Sequence, residues 1–117
     1  MQTLNEALAE FKQNKGALNA AMPEVMGHLD GLFQVSQAGG ALSTKEKGFI
    51  GLGISLATHC EPCILVHMEK ALAAGATRAE ILEASGVAIA MGGGPTMAHV
   101  PLVLKYLAER AKPDTRS

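Results

Sequence analysis

The chain is expected to be all-α, one compact domain of five to six helices, and three observations lead there. No segment sustains the period-two alternation of a half-buried strand, while apolar residues return at three- and four-residue spacing. Two Ser/Thr-x-x-Glu capping boxes, Ser43 to Glu46 and Thr77 to Glu80, mark helix starts. No linker interrupts the 117 residues, so a single domain spanning 1–117 is expected.

The elements follow in order. Leu4, Leu8 and Phe11 form a narrow apolar stripe on a first helix over residues 3 to 14, entered at Thr3. Pro23 opens a second helix to about Gln37, with Val25, Met26, Leu29, Leu32, Phe33 and Val35 apolar, and Gly39-Gly40 ends it. The Ser43 box starts a third helix, which runs to about His59. Its body, F-I-G-L-G-I-S-L-A, is apolar nearly all round, so it should be buried, and Gly48, Gly51 and Gly53 should admit close neighbours. Three glycines cost such a helix roughly 1 kcal/mol each, which marks it as the central element. A fourth helix begins near Cys60 and ends at Gly75; a fifth begins at Thr77 and is stopped by Gly92-Gly93-Gly94-Pro95. That glycine triplet is read as a hinge, since neither a preceding strand nor a Gly-Lys-Ser/Thr accompanies it. Val100, Val103, Leu104 and Leu107 stripe a last helix, in which Pro101 marks a kink or a restart, and the polar tail from Lys112 should fray.

Composition narrows the function. Ten Lys and Arg face eleven Asp and Glu, and no basic run is interleaved with aromatics, so no nucleic-acid partner is expected. The longest apolar run, Phe49 to Ala57, is too short to span a bilayer, and no membrane partner is expected either. The start, M-Q-T-L-N-E, has no secretory pattern, so a cytoplasmic location is the expectation. The third and fifth helices are apolar on more faces than one small subunit can cover, which predicts a homo-oligomer.

Chemistry concentrates in C-E-P-C-I-L-V-H, which places Cys60, Cys63 and His67 within eight residues. At about 100° per residue, Cys63 lies about 60° from Cys60 and His67 about 40° from Cys63, so all three project from one side of the fourth helix. A thiol at a helix start is acidified by the dipole and free N–H groups, and a histidine one turn on can accept its proton. In a reducing compartment such a pair points to redox catalysis or to metal rather than to a structural staple. The usual host of a C-x-x-C pair, a thioredoxin-like βαβ unit, is absent. Two other readings stand beside redox: zinc held by the cysteines with His67 and either His59 or His99, and two inert buried thiols. His59 is read first as a helix C-terminal residue favoured by the dipole, His99 as a packing residue near the site, and His28 as a partly exposed edge residue.

Three quoted runs together carry a resemblance: L-S-T-K-E-K-G-F-I-G-L-G-I-S-L-A-T-H-C-E-P-C-I-L-V-H, A-L-A-A-G-A-T-R-A-E-I-L-E-A and M-G-G-G-P. They resemble the carboxymuconolactone decarboxylase superfamily and, through the C-x-x-C-x-x-x-H, its alkylhydroperoxidase D-like branch, over about residues 42–107. The N-terminal helices, residues 3–37, lie outside those motifs. The resemblance implies an all-helical subunit in trimers or hexamers that reduces a hydroperoxide without a cofactor or metal, taking electrons from a dithiol donor such as a lipoylated protein or a small redox protein. It matches Cys63 to the thiol that attacks peroxide, Cys60 to the resolving thiol and His67 to the proton relay. Dipole reasoning alone would make Cys60 the more acidic thiol. The family places a glutamate where this chain has Gly48, so weak turnover is expected, with Ser55, His59 and His99 as candidate supporting groups. Gly48, Leu52, Ser55 and His59 are expected to form the stripe that turns toward Cys63 and His67. The enzyme reading is a peroxidase or, more broadly, a disulfide oxidoreductase; a non-enzymatic zinc-bound or redox-sensing oligomer is the alternative, and true decarboxylation, whose branch lacks the cysteine pair, a further one.

Overall fold

The computed structural model describes residues 2–111, and the expected tail from Lys112 lies outside them. The elements are α1 (Leu4–Ala21), α2 (Pro23–Gln37), α3 (Thr44–Ala57), α4 (Glu61–Ala73), α5 (Arg78–Gly92), the single turn α6 (Gly94–Met97) and α7 (Val100–Ala111), with no strand among the described residues. Both capping boxes form with both arms: Ser43 and Thr77 each accept from the N–H of a glutamate whose carboxylate returns to the cap backbone. Thr3 and Glu6 form a third.

Several boundaries differ from expectation for local reasons. α1 does not end near residue 14 but runs through Gly16 to Ala21. One exposed glycine costs only about 1 kcal/mol, and the alanines beyond it, with Lys15 tied to Asp30 of α2 at 2.7 Å, hold the extra turns. α3 stops at Ala57, because His59 takes a left-handed φ of 58° and the Cys60 N–H turns back to the Ser55 carbonyl at 3.1 Å. Gly92 is still helical; the break comes at Gly93, with φ 74°, and Pro95 restarts the chain in α6. Pro101 sits in the opening turn of α7, where its missing N–H costs no bond, so it marks a restart rather than a kink.

The α3–α4 hairpin is the centre. α5 packs on α3, while α1 and α7 pack on α4, around a core that includes Leu52, Leu56, Ile64, Met68, Ile81, Val103 and Tyr106. Leu4 and Leu8 join this core, and the Leu4 N–H donates to the Glu109 carboxylate of α7 at 3.2 Å, tying the first helix to the last. Two expectations about burial are corrected. On α2 only Met26 is buried; Val25, Leu29, Leu32, Phe33 and Val35 remain exposed because α2 has no layer beyond it. α3 is not wholly covered either, since α4 and α5 leave Ile50 and Ile54 open between them. No described helix is long and apolar enough to cross a membrane.

Candidate functional site

Two sulfurs meet at the start of α4. Cys60 is the N-cap of α4, its Sγ accepting from the Cys63 N–H at 3.3 Å, and the two cysteines are joined in a disulfide with Cα atoms 5.2 Å apart. Glu61 and Pro62 fill the first turn, where an acidic group suits the dipole and proline needs no donor. His67 stands one turn beyond Cys63, and both border a cleft of about 300 Å³ between α1, α2 and α4, with Phe11, Phe33 and Val66 as apolar walls.

The imidazole of His67 is seated on α3 at Gly51, where an added Cβ would lie 2.5 Å from both Cε1 and Nδ1 of the ring. Its Nδ1 is buried without a hydrogen-bond partner among the described residues. Burial pushes the pKa of His67 below its ordinary value, and the nearby Lys70 charge adds to the depression. The ring is therefore neutral at neutral pH and has a lone pair to offer.

The expected stripe on α3 is corrected by this seat. Gly48 faces Ala71, with 3.5 Å from an added Cβ to Cα, one turn away from the histidine; Leu52 is buried in the core. The Ser55 hydroxyl donates to the Gly51 carbonyl at 2.6 Å and is thereby committed to the backbone. His59 stacks on His99, ring centroids 4.8 Å apart and planes 10° from parallel, while Nδ1 of His99 bonds the Pro95 carbonyl at 2.9 Å. That pair pins the loop before Cys60 to the α6–α7 turn. His59 follows the α3 C-cap Thr58 directly, with a positive φ. His28 is exposed on α2. Among the described residues, no three His, Cys, Asp or Glu side chains converge as metal ligands.

The sequence reading missed Gly51 as the seat of His67, and it missed Lys70. A usable signal for Lys70 was its place seven residues after Cys63, two turns along the same face.

Residues 23–106 match the sequence model of the carboxymuconolactone decarboxylase family. The chain belongs to that family. The match takes in α2, which the motif residues alone did not reach. An uncharacterized protein of Cupriavidus necator is 31% identical over 103 residues, covering 88% of this chain and 91% of the relative. Another, encoded in the cox locus of Paracoccus denitrificans, is 37% identical over 78 residues, covering 67% and 70%. Among solved structures, a carboxymuconolactone decarboxylase family protein from Legionella pneumophila superposes with a TM-score of 0.88 at 30% identity, over 93% of this chain and 97% of the other. A family member from Thermotoga maritima, given a suggested role in antioxidative response, superposes with a TM-score of 0.81 at 24% identity and 89% coverage of each chain.

Proposed function

We propose that this family member is a thiol-dependent hydroperoxide reductase, on one observation above the others: a cysteine pair able to close a disulfide at the start of α4, with Cys63 and His67 bordering one cleft. Neutral His67 takes the Cys63 proton, and the thiolate attacks the terminal oxygen of ROOH. The O–O bond breaks, Cys63 becomes a sulfenic acid, and the alkoxide leaves as ROH with the proton that His67 returns. The Cys60 thiol then attacks the Cys63 sulfur, forming the disulfide and releasing water. A dithiol donor restores both thiols and becomes a disulfide itself, so the cycle converts ROOH and one dithiol into ROH, water and one disulfide. The family resemblance assigns the attacking role to Cys63, and its place on the cleft supports that. Cys60, held by the Cys63 N–H at the helix N-terminus, is suited to be a resolving thiolate. The antioxidative role suggested for the Thermotoga maritima protein agrees with this chemistry.

Cumene hydroperoxide consumption by the reduced protein, with dithiothreitol as donor, tests the reading. Cys63→Ser should abolish turnover, and Cys60→Ser, reduced and then freed of donor, should stop after one sulfenic acid per chain. An active Cys63→Ser beside an inactive Cys60→Ser would reverse the roles. One tightly held zinc per chain, with thiols that peroxide leaves intact, would replace the enzyme by a metal-stabilised module.

A further inference from the structure

Beside the Cys63 cleft lies a larger cavity of about 600 Å³ between α2, α3 and α4, and the two share Phe33, Gln37 and Lys70 as walls. Gly48, Lys47 and Lys70 all border the larger cavity. Its charges do not cancel. Lys47 donates to the Ala38 carbonyl at 2.6 Å and Lys70 to Oε1 of Gln37 at 2.7 Å, both neutral acceptors. Neither ammonium has a carboxylate within ion-pair distance among the described residues, where the salt bridges are Lys12–Glu69, Lys15–Asp30 and Lys45–Glu80. The carboxylates that border the two cavities, Asp30 and Glu69, are thus already taken by Lys15 and Lys12. Gln37, with its oxygen held by Lys70, keeps its amide N–H groups to offer.

Along α4 the chemistry is in line. Cys63, Val66, His67 and Lys70 share one face, and seven residues of rise put the ammonium-bearing turn about 10 Å from the thiol-bearing one. We infer that this joined cleft binds an apolar hydroperoxide carrying a carboxylate, with the carboxylate held between Lys47 and Lys70 and the apolar chain laid past Phe33 and Val66 so that a peroxide group far along it meets Cys63. The inference rests on the reductase reading for the peroxide and on the cavity alone for the anion. Two ammonium groups and one amide suit a singly charged carboxylate at the end of an apolar chain, and no arginine borders either cavity to add a bidentate fork.

Two measurements separate this inference from the reading beneath it. Calorimetric titration of the oxidised protein with decanoate and with 1-decanol needs no turnover. One decanoate per chain should bind, at least about tenfold tighter than the alcohol and more weakly as salt rises. Both Lys47→Met/Lys70→Met and Gly48→Glu should remove that preference, the latter by setting a fixed carboxylate in the cavity, where its Cβ meets Ala71 at ordinary contact distance. In turnover, linoleic acid 13-hydroperoxide should exceed its methyl ester in kcat/KM by about tenfold, and the ratio should fall to about one in the double lysine variant. Equal binding of decanoate and decanol, or equal rates for acid and ester, overturns the inference. Failure to consume even cumene hydroperoxide overturns the reductase reading instead, leaving decanoate binding to decide the anion site.

Discussion

The seat of His67 makes Gly51→Ala the sharpest single substitution, because one methyl group tests both packing and proton transfer. An alanine Cβ would stand 2.5 Å from two atoms of the imidazole, far inside contact distance, so the ring or the helix must move. Alanine gains about 1 kcal/mol of helix propensity over glycine, and overpacking costs about 1–3 kcal/mol, so the variant should be level with the parent or up to about 2 kcal/mol less stable. Gly53→Ala is the control: nothing lies within 4 Å of its added Cβ, so only the propensity gain remains, about 0.5–1 kcal/mol. Displacing a positioned base by even 1 Å costs on the order of 10²-fold in rate. Urea denaturation and stopped-flow peroxide consumption would read the two effects separately. Gly51→Ala should lose about 10²-fold in rate while remaining folded, and Gly53→Ala should gain stability with its rate unchanged. If Gly51→Ala were stabilised as much as Gly53→Ala and equally active, the imidazole would not rest on Gly51 and the relay geometry would fail.

Three further outcomes follow from the same structure. Because the folded chain holds the pKa of His67 below its ordinary value near 6.5, this group contributes no stability change above that pH; as pH falls through it the unfolded chain binds the proton first, so stability declines toward the folded pKa. Urea midpoints from pH 7.5 to 5.5 should show the decline, and His67→Gln should flatten it; an equal slope in that variant would assign the decline to other groups. The Thr96 hydroxyl is buried with no partner among the described residues, so Thr96→Val should stabilise by about 1 kcal/mol, whereas a loss of more than that in thermal unfolding would reveal a bond to the hydroxyl. Ile50, Ile54, Val87 and Met91 leave an open apolar strip between α3 and α5, for which a homo-oligomer, trimer or hexamer, is proposed. Light scattering should report more than one subunit for the parent chain and a smaller assembly for Ile54→Lys, and a parent monomer at micromolar concentration would refute this.

What could be read from the sequence was what is local to one helix. Ser43 with Glu46 and Thr77 with Glu80 announce their own helix starts, since cap and partner are three residues apart. The shared side of Cys60, Cys63 and His67 likewise follows from 3.6 residues per turn. The rotation of α3 against α4 does not. It depends on how two side-chain surfaces interlock, which is why Gly51 rather than Gly48 receives the imidazole. His59 escaped for a related reason: a non-glycine residue at φ 58° is locally disfavoured and is held here by a ring on a distant turn, His99. The open apolar face of α2 was equally illegible, because periodicity shows which residues share a side and not whether anything covers it.

The central claim is that Cys60 and Cys63 exchange electrons with a hydroperoxide under the guidance of His67, and a single-turnover balance tests it most directly. Fully reduced protein would be mixed with one equivalent of cumene hydroperoxide per chain, and thiols, alcohol product and intact mass would be followed together. The account predicts that each chain loses two thiols and two mass units, yields one equivalent of the alcohol, and returns to its starting mass with dithiothreitol. Persistence of both thiols while peroxide remains, or peroxide loss that continues unchanged in Cys63→Ser, would contradict it.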